Sequence, residues 1–108
     1  MKLDFEKMCL QEFVRRLEIE IKKKSESGKS PHQIVFCKVV EQFGYEDIGV
    51  LFIFLMNVLI LKQGEWFLIP ANVLHCYIEG ELVEIMVNSD NVIRGGLTPK
   101  LKDTKTLL

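Results

Sequence analysis

Residues 48–61 read I-G-V-L-F-I-F-L-M-N-V-L-I-L, and this apolar run decides between a membrane segment and a protein core. Its fourteen residues fall short of the roughly 20 that a helix needs to cross a bilayer. The run also contains Gly49 and Asn57, and its Val, Ile and Phe content favours strands buried on both faces. We therefore expect β-structure here and no membrane span.

Short apolar stretches follow this run and alternate with turn residues. Residues 66–69, 75–78 and 82–87 each have the length of a strand, and Gly, Pro and Asn separate them. Several short strands at such spacing predict part of an antiparallel sandwich or barrel.

Upstream, apolar residues recur every three or four positions with charged residues between them, which predicts an amphipathic helix over residues 2–24. The stripe consists of Leu3, Phe5, Met8, Cys9, Phe13, Val14, Leu17 and Ile21. Such a stripe either packs on its own domain, which is commoner, or binds a partner.

A second helix is expected from Pro31, because Ser30 before it is a typical N-cap residue, and Gly44 ends this helix. Its predicted buried side consists of Ile34, Val35, Val39, Val40 and Phe43. The whole pattern predicts an α+β chain, with a helical segment over residues 1–44 and a β-segment over residues 45–108.

Length and composition limit the classes of function. A chain of 108 residues has room for one small domain, and a net charge of −1 provides no overall field toward nucleic acid or a membrane surface. Cys9, Cys37 and Cys76 contain no C-x-x-C pair, which argues against disulfides and a zinc ribbon. Because Asp4 and Glu6 interrupt any signal core, we expect a cytoplasmic protein without nucleic-acid or membrane partners.

The candidate chemistry lies in residues 75–103, which read H-C-Y-I-E-G-E-L-V-E-I-M-V-N-S-D-N-V-I-R-G-G-L-T-P-K-L-K-D. His75 could ligate a metal, and Glu84 in a strand could be buried beside a donor. Arg94 before two glycines could bind an oxyanion, and Lys100 could attract an anionic substrate. Each also has a structural explanation when taken alone, as a hydrogen-bonded histidine or a solvated charge. Asp90 is first a turn former.

Taken jointly, this block resembles the C-terminal signature of type I mannose-6-phosphate isomerases, which are zinc-dependent enzymes of the cupin fold. The matching residues are His75, Tyr77, Gly80, Glu84, Met86, Ser89, Asp90, Asn91, Arg94, Gly96, Thr98, Pro99, Lys100 and Asp103. The resemblance covers about residues 45–108 and includes the D-I-G sequence at 47–49. It implies a partial antiparallel cupin-like half, of the jelly-roll or double-stranded β-helix type, after the helical hairpin.

The resemblance also implies an activity, the interconversion of mannose 6-phosphate and fructose 6-phosphate through an enediol. It makes His75 a zinc ligand and Arg94 the residue that stabilises the enediolate. Glu84 would transfer a proton or form a hydrogen bond at the site. Lys100, Asp90 and Tyr77 would contact the substrate, a small sugar phosphate.

The chain departs from the family pattern at the metal. Members of the family supply three further zinc ligands from a Q-x-H-P and an N-H-K-P-E element, and neither is present here; His32-Gln33 has the wrong order. Zinc needs three or four ligands. We therefore expect a truncated isomerase with an incomplete zinc site. The alternative is a non-catalytic cupin-like fragment that associates with a full-length isomerase or another protein through uncovered apolar strands.

Overall fold

The computed structural model describes residues 2–107 of the chain, with side chains from residue 5 onward. Two long helices come first, α1 at Lys2–Lys22 and α2 at Pro31–Phe43. Two one-turn helices follow, α3 at Gly49–Phe52 and α4 at Thr104–Leu107, and short 3-10 turns lie at Glu26–Gly28 and Ile53–Leu55. Within residues 2–107 there is no β-strand.

Both long helices confirm the sequence prediction, and local signals explain their limits. The Ser30 hydroxyl accepts a hydrogen bond from the Gln33 N–H at 3.3 Å, and the Gln33 side-chain oxygen accepts one from the Ser30 N–H at 3.1 Å. This reciprocal pair is a capping box, and Pro31 at the first helical position lacks an N–H that would need a partner. Gly44 ends α2 at a φ of 77°, which glycine adopts without steric cost.

The hydrophobic core lies between α1, α2 and the segment around α3. Its buried side chains are Val14, Ile21, Phe36, Val39, Val40, Val50 and Ile53. Phe36 is fully buried, and its ring centroid lies 5.2 Å from that of Phe54. The core is therefore built by the first half of the chain.

One carboxylate is buried beside this core. Glu18 accepts a hydrogen bond from the Tyr45 hydroxyl at 2.7 Å and pairs with the Lys22 ammonium at 2.7 Å. Burial by itself raises the pKa of Glu18, but the Lys22 and Tyr45 donors outweigh it and hold the pKa below its usual range. Glu18 thus joins α1 to the chain segment after α2.

The buried side of α1 is shorter than the predicted stripe. Val14 and Ile21 are buried, whereas Phe5, Met8 and Phe13 are more than half exposed, and the side chain of Leu3 lies outside the described residues. The reason is length, because α2 has 13 residues and α1 has 21, so α2 covers about 20 Å of a helix about 30 Å long.

The prediction for α2 was right in part. Val39 and Val40 are buried, but Phe36 is buried although it was not predicted, and Ile34 is 36% exposed. The buried face of α2 is therefore present, but it includes Phe36 and leaves Ile34 partly exposed.

The predicted β-half is wrong. The apolar run 48–61 begins with α3 and a 3-10 turn, and residues 57–103 then form turns, bends and irregular segments without a helix or a paired strand. A strand is stable only when a second strand accepts and donates its backbone hydrogen bonds, whereas a helix closes those bonds within itself. Val83 and Ile85 are accordingly 90% and 94% exposed. The partial antiparallel cupin-like half does not form in the described residues, and the suggested partner surface of uncovered strands loses its basis.

Among the helices of residues 2–107, none combines the length and the apolar character that crossing a bilayer requires.

Candidate functional site

Three of the predicted site residues form one group, which we call the histidine cluster: His75, Tyr77 and Glu84. The rings of His75 and Tyr77 meet edge to face with centroids 5.8 Å apart. The Tyr77 hydroxyl donates a hydrogen bond to Glu84 Oε1 at 3.0 Å. Partial desolvation and this bond to Glu84 raise the pKa of Tyr77. The phenol is therefore a hydrogen-bond donor at neutral pH.

The tautomer of His75 follows from its backbone contact. His75 Nδ1 lies 2.8 Å from the carbonyl oxygen of Val73, and a carbonyl can only accept, so Nδ1 carries the proton. Nε2 then keeps a free lone pair. This is the arrangement of a metal-ligating histidine, which usually donates its other N–H to a carbonyl or carboxylate.

One ligand does not make a metal site, and the surrounding donors do not complete it. Among the described residues, no group of three His, Cys, Asp or Glu side chains could hold a metal ion. Cys76 is adjacent, but desolvation raises the pKa of its thiol and so disfavours the thiolate that a metal binds. The residues that the structure describes therefore do not fit a bound zinc ion by themselves.

The second group, which we call the arginine loop, comprises residues 94–103. The N–H of Asp103 donates to the carbonyl oxygen of Arg94 at 3.1 Å, which closes the loop at its base. The Asp103 carboxylate accepts from the N–H and the hydroxyl of Thr106 at 3.1 and 2.6 Å, and these bonds lower the pKa of Asp103. The loop thus leads directly into α4.

Arg94 itself is half-buried, and its guanidinium forms no hydrogen bond or ion pair with any side chain that the structure describes. A guanidinium offers five donors in a fixed plane. It is therefore free to bind an anionic group.

The close approach of the chain explains the glycines after Arg94. A Cβ on Gly95 would lie 2.7 Å from Leu107 Cδ2, and one on Gly96 would lie 3.0 Å from Asp47 Oδ1. These distances are shorter than ordinary contacts. The space beside both glycines is occupied by the chain itself, where the sequence suggested a bound ligand.

The remaining predicted residues, Lys100 and Asp90, lie apart. Lys100 is exposed, and its N–H donates to the Thr98 hydroxyl at 3.2 Å. The carbonyl of Asp90 accepts from the Val92 N–H at 2.8 Å in a local turn. No hydrogen bond or ion pair between described side chains links either residue, or Arg94, to the histidine cluster.

Sequence reasoning missed Asp47, the buried carboxylate that contacts the arginine loop. Its Oδ2 accepts from the Leu97 N–H at 2.9 Å and from the Lys102 ammonium at 2.5 Å. Its Oδ1 accepts from the Gly49 N–H at 2.8 Å. An Asp two residues before a glycine at a helix start is a local signal for this capping bond, but no local signal points to Leu97 or Lys102.

Comparison with known proteins identifies the relatives of the chain. It is 39% identical over 94 residues to the probable mannose-6-phosphate isomerase of Dictyostelium discoideum, a match that covers 87% of this chain and 21% of the relative. It is 56% identical over 62 residues to the mannose-6-phosphate isomerase of Cryptococcus neoformans, covering 57% of this chain and 14% of the relative. The human enzyme is 38% identical over 99 residues, covering 87% and 23%.

The matched stretch spans 14% to 23% of the length of these relatives. No family model matches the chain, and no solved structure matches it.

Proposed function

Because this chain belongs to the mannose-6-phosphate isomerase family, we propose that it corresponds to one part of such an enzyme and supplies part of the site that interconverts mannose 6-phosphate and fructose 6-phosphate. The observation that carries the proposal is the identity of 38–56% to proteins of that name. The guanidinium of Arg94, which pairs with none of the described side chains and lies in a loop that the fold anchors, agrees with it.

The reaction needs a cation where negative charge develops. Conversion of the aldose to the ketose removes a proton from C2 and returns one to C1, and the enediolate between them carries the charge on oxygen. A guanidinium is a cation with several donors, so Arg94 stabilises that oxygen more than it stabilises the neutral sugar. This difference is what lowers the barrier.

The histidine cluster would contribute the other polar groups. In the proposal, Glu84 transfers a proton or hydrogen-bonds to the substrate, and Tyr77, whose hydroxyl donates to Glu84, contacts the sugar. Lys100 and Asp90 contact the sugar phosphate. His75 would present Nε2 as a ligand to a zinc ion.

We expect no turnover from the isolated chain, because among the described residues no group of three His, Cys, Asp or Glu side chains could hold a metal ion. No contact of the described residues favours the alternative of a non-catalytic fragment that binds a protein partner.

A chimera tests the function without requiring this chain to be complete. Residues 45–108 replace the matching segment of the Cryptococcus neoformans enzyme, and fructose 6-phosphate formation from mannose 6-phosphate is measured. We expect turnover, and Arg94→Ala in the chimera should lower kcat by about 100-fold or more, as removal of one oxyanion donor does.

The matched control is Lys62→Ala, which removes an exposed cation of the same grafted segment and should leave kcat unchanged. A folded chimera without activity would contradict the proposed function. Equal rates for Arg94→Ala and Lys62→Ala would contradict the role of Arg94 while leaving the function intact.

A further inference from the structure

Asp47 is the point at which the helical part of the chain and the arginine loop meet. The residue is 9% exposed, and both of its carboxylate oxygens are used as acceptors. One oxygen binds the N–H of Gly49 at the start of α3, two residues away. The other binds Leu97 and Lys102, which lie 50 and 55 residues further along the chain. A single side chain therefore fixes two points of the loop to α3.

The start of α3 and the arginine loop are closely packed around Asp47. A Cβ on Gly49 would lie 2.9 Å from both Asp47 Oδ1 and Leu97 Cγ, and one on Gly96 would lie 3.4 Å from the Cα of Gly49. The loop backbone thus lies directly against the first turn of α3. A side chain at Gly49 would therefore displace Asp47 or Leu97, and one at Gly96 would press on the Asp47 carboxylate.

Leu97 has a backbone conformation that leucine rarely adopts. Its φ is 52°, in the left-handed region, where a bulky side chain is unfavourable. Its side chain packs against the hydrophobic core, and its N–H donates to Asp47. These two contacts offset the backbone strain, so without Asp47 we expect residue 97 to relax and the loop to change its path.

We propose that Asp47 is a positioning residue that fixes the place of Arg94. It acts through Leu97 and Lys102, because Arg94 lies three residues before Leu97 and its carbonyl closes the loop with Asp103. The role of Arg94 that this serves rests on the proposed function, whereas the docking of the loop does not. A preorganised guanidinium needs no reorganisation when charge develops on the substrate.

The ionisation of Asp47 agrees with this role. Burial raises its pKa, but the Lys102 ammonium and the N–H groups of Gly49 and Leu97 outweigh that effect and lower the pKa below its usual range. The carboxylate is therefore ionised at neutral pH and accepts its three donors as charge-assisted hydrogen bonds.

The test uses the variant Asp47→Asn, which keeps the size of the side chain and removes its charge. Amide hydrogen exchange at Leu97 and the NMR signal of the Arg94 Nε–H group are measured in the 108-residue chain. We expect Leu97 to exchange about tenfold faster or more, as loss of a hydrogen bond to a charged group implies, and the Arg94 signal to move and sharpen. Protection at Val39, in the core of α2, should persist and so shows that the variant is folded.

The matched control is Glu46→Gln, which removes an exposed carboxylate at the adjacent position and should change neither signal. Lys102→Met removes one of the three donors to Asp47 and should speed Leu97 exchange less than Asp47→Asn does. Unchanged Leu97 exchange or an unchanged Arg94 signal in Asp47→Asn would overturn the positioning role.

A titration with fructose 6-phosphate separates this inference from the proposed function. If the wild-type chain binds the sugar phosphate, Asp47→Asn should weaken binding in the same direction as Arg94→Ala, and equal affinity in Asp47→Asn would overturn the positioning role. If the wild-type chain does not bind it while Arg94 still moves in Asp47→Asn, the positioning by Asp47 stands, and Arg94→Ala in the chimera decides the contribution of Arg94 to the reaction.

Discussion

The two halves of this chain contain similar apolar sequences, yet one forms a core and the other does not. Phe36 and Val39 of α2 are completely buried, whereas Val83 and Ile85 in the irregular segment 57–103 are at least 90% exposed. The difference lies in where the backbone hydrogen bonds can be made. A helix satisfies them within itself and then buries one face, but an extended segment needs a neighbouring strand first.

The solvent-exposed area of the chain shows how much of it is left unpacked. The chain exposes 9404 Å², whereas a compact monomer of 12.5 kDa would expose about 6,200 Å². The excess arises mainly from residues 57–93, where nearly every residue is exposed. Apolar content alone therefore does not build a domain when the pairing that strands require is absent from the described residues.

The largest expected effect separates the core from the irregular segment. Phe36→Ala should lower the free energy of unfolding by about 3–5 kcal/mol, because it removes a fully buried aromatic ring. Val83→Ala should change it by less than about 0.5 kcal/mol, since that side chain is 90% exposed. Urea unfolding followed by circular dichroism measures both. Equal losses would show that residue 83 is packed after all.

The next effect concerns Asp47, whose hydrogen bonds join the start of α3 to the arginine loop. Asp47→Asn should cost about 1–3 kcal/mol at neutral pH, because it weakens the contacts to Leu97 and Lys102. The lowered pKa of Asp47 fixes the sign of the pH dependence. Its contribution is present above the unfolded pKa of about 3.9 and is lost as the pH falls through the lower folded pKa.

Urea unfolding of the wild-type chain and of Asp47→Asn should therefore differ at pH 7 and converge as the pH falls below about 4. A gap that stayed constant over this range would mean that the charge of Asp47 is not what binds the loop.

A smaller effect is expected at the start of α2. Ser30→Ala removes the capping box and should cost about 1 kcal/mol, with a loss of helical signal at 222 nm. The control is Ser27→Ala, in the 3-10 turn before α2, where no cap hydrogen bond is lost. If Ser30→Ala and Ser27→Ala had equal free energies of unfolding, packing alone would fix the start of α2.

The smallest effect is expected at the ion pair between Lys38 of α2 and Glu79 of the irregular segment. Lys38 is partly exposed and Glu79 is largely exposed, so Glu79→Gln should cost about 0.5 kcal/mol or less, and added salt should abolish the difference. The free energy of unfolding of both proteins is measured over a salt titration. If Glu79→Gln lowered it by several kcal/mol, α2 and residue 79 would be joined much more strongly than by this ion pair alone.

The parts of the fold that the sequence predicted are those with local signals. Ser30, Pro31 and Gly44 mark the limits of α2 within a few residues, and the structure confirms them. The run 48–61 carried no such signal, since a continuous apolar stretch does not distinguish a helix from a strand. Phe36 could have been found, because it lies three and four positions before Val39 and Val40 on one helical face.

In the candidate site too, the sequence predicted contacts between residues close along the chain and missed those between distant residues. The sequence named the residues of the histidine cluster, and their period of two brought His75 and Tyr77 together even without a sheet. Asp47 has its partners 50 and 55 residues away, so only the folded chain reveals its contacts. The roles of Arg94, Glu84 and Lys100 in isomerisation remain predictions, and the chimera tests that of Arg94.

Residue-resolved amide hydrogen exchange tests the central difference between the two halves most directly. We predict slow exchange in α1 and α2 and at Leu97, whose N–H is held by Asp47, and fast exchange throughout residues 82–87. Slow exchange at alternate residues of 82–87, the pattern of a paired strand, would contradict the account.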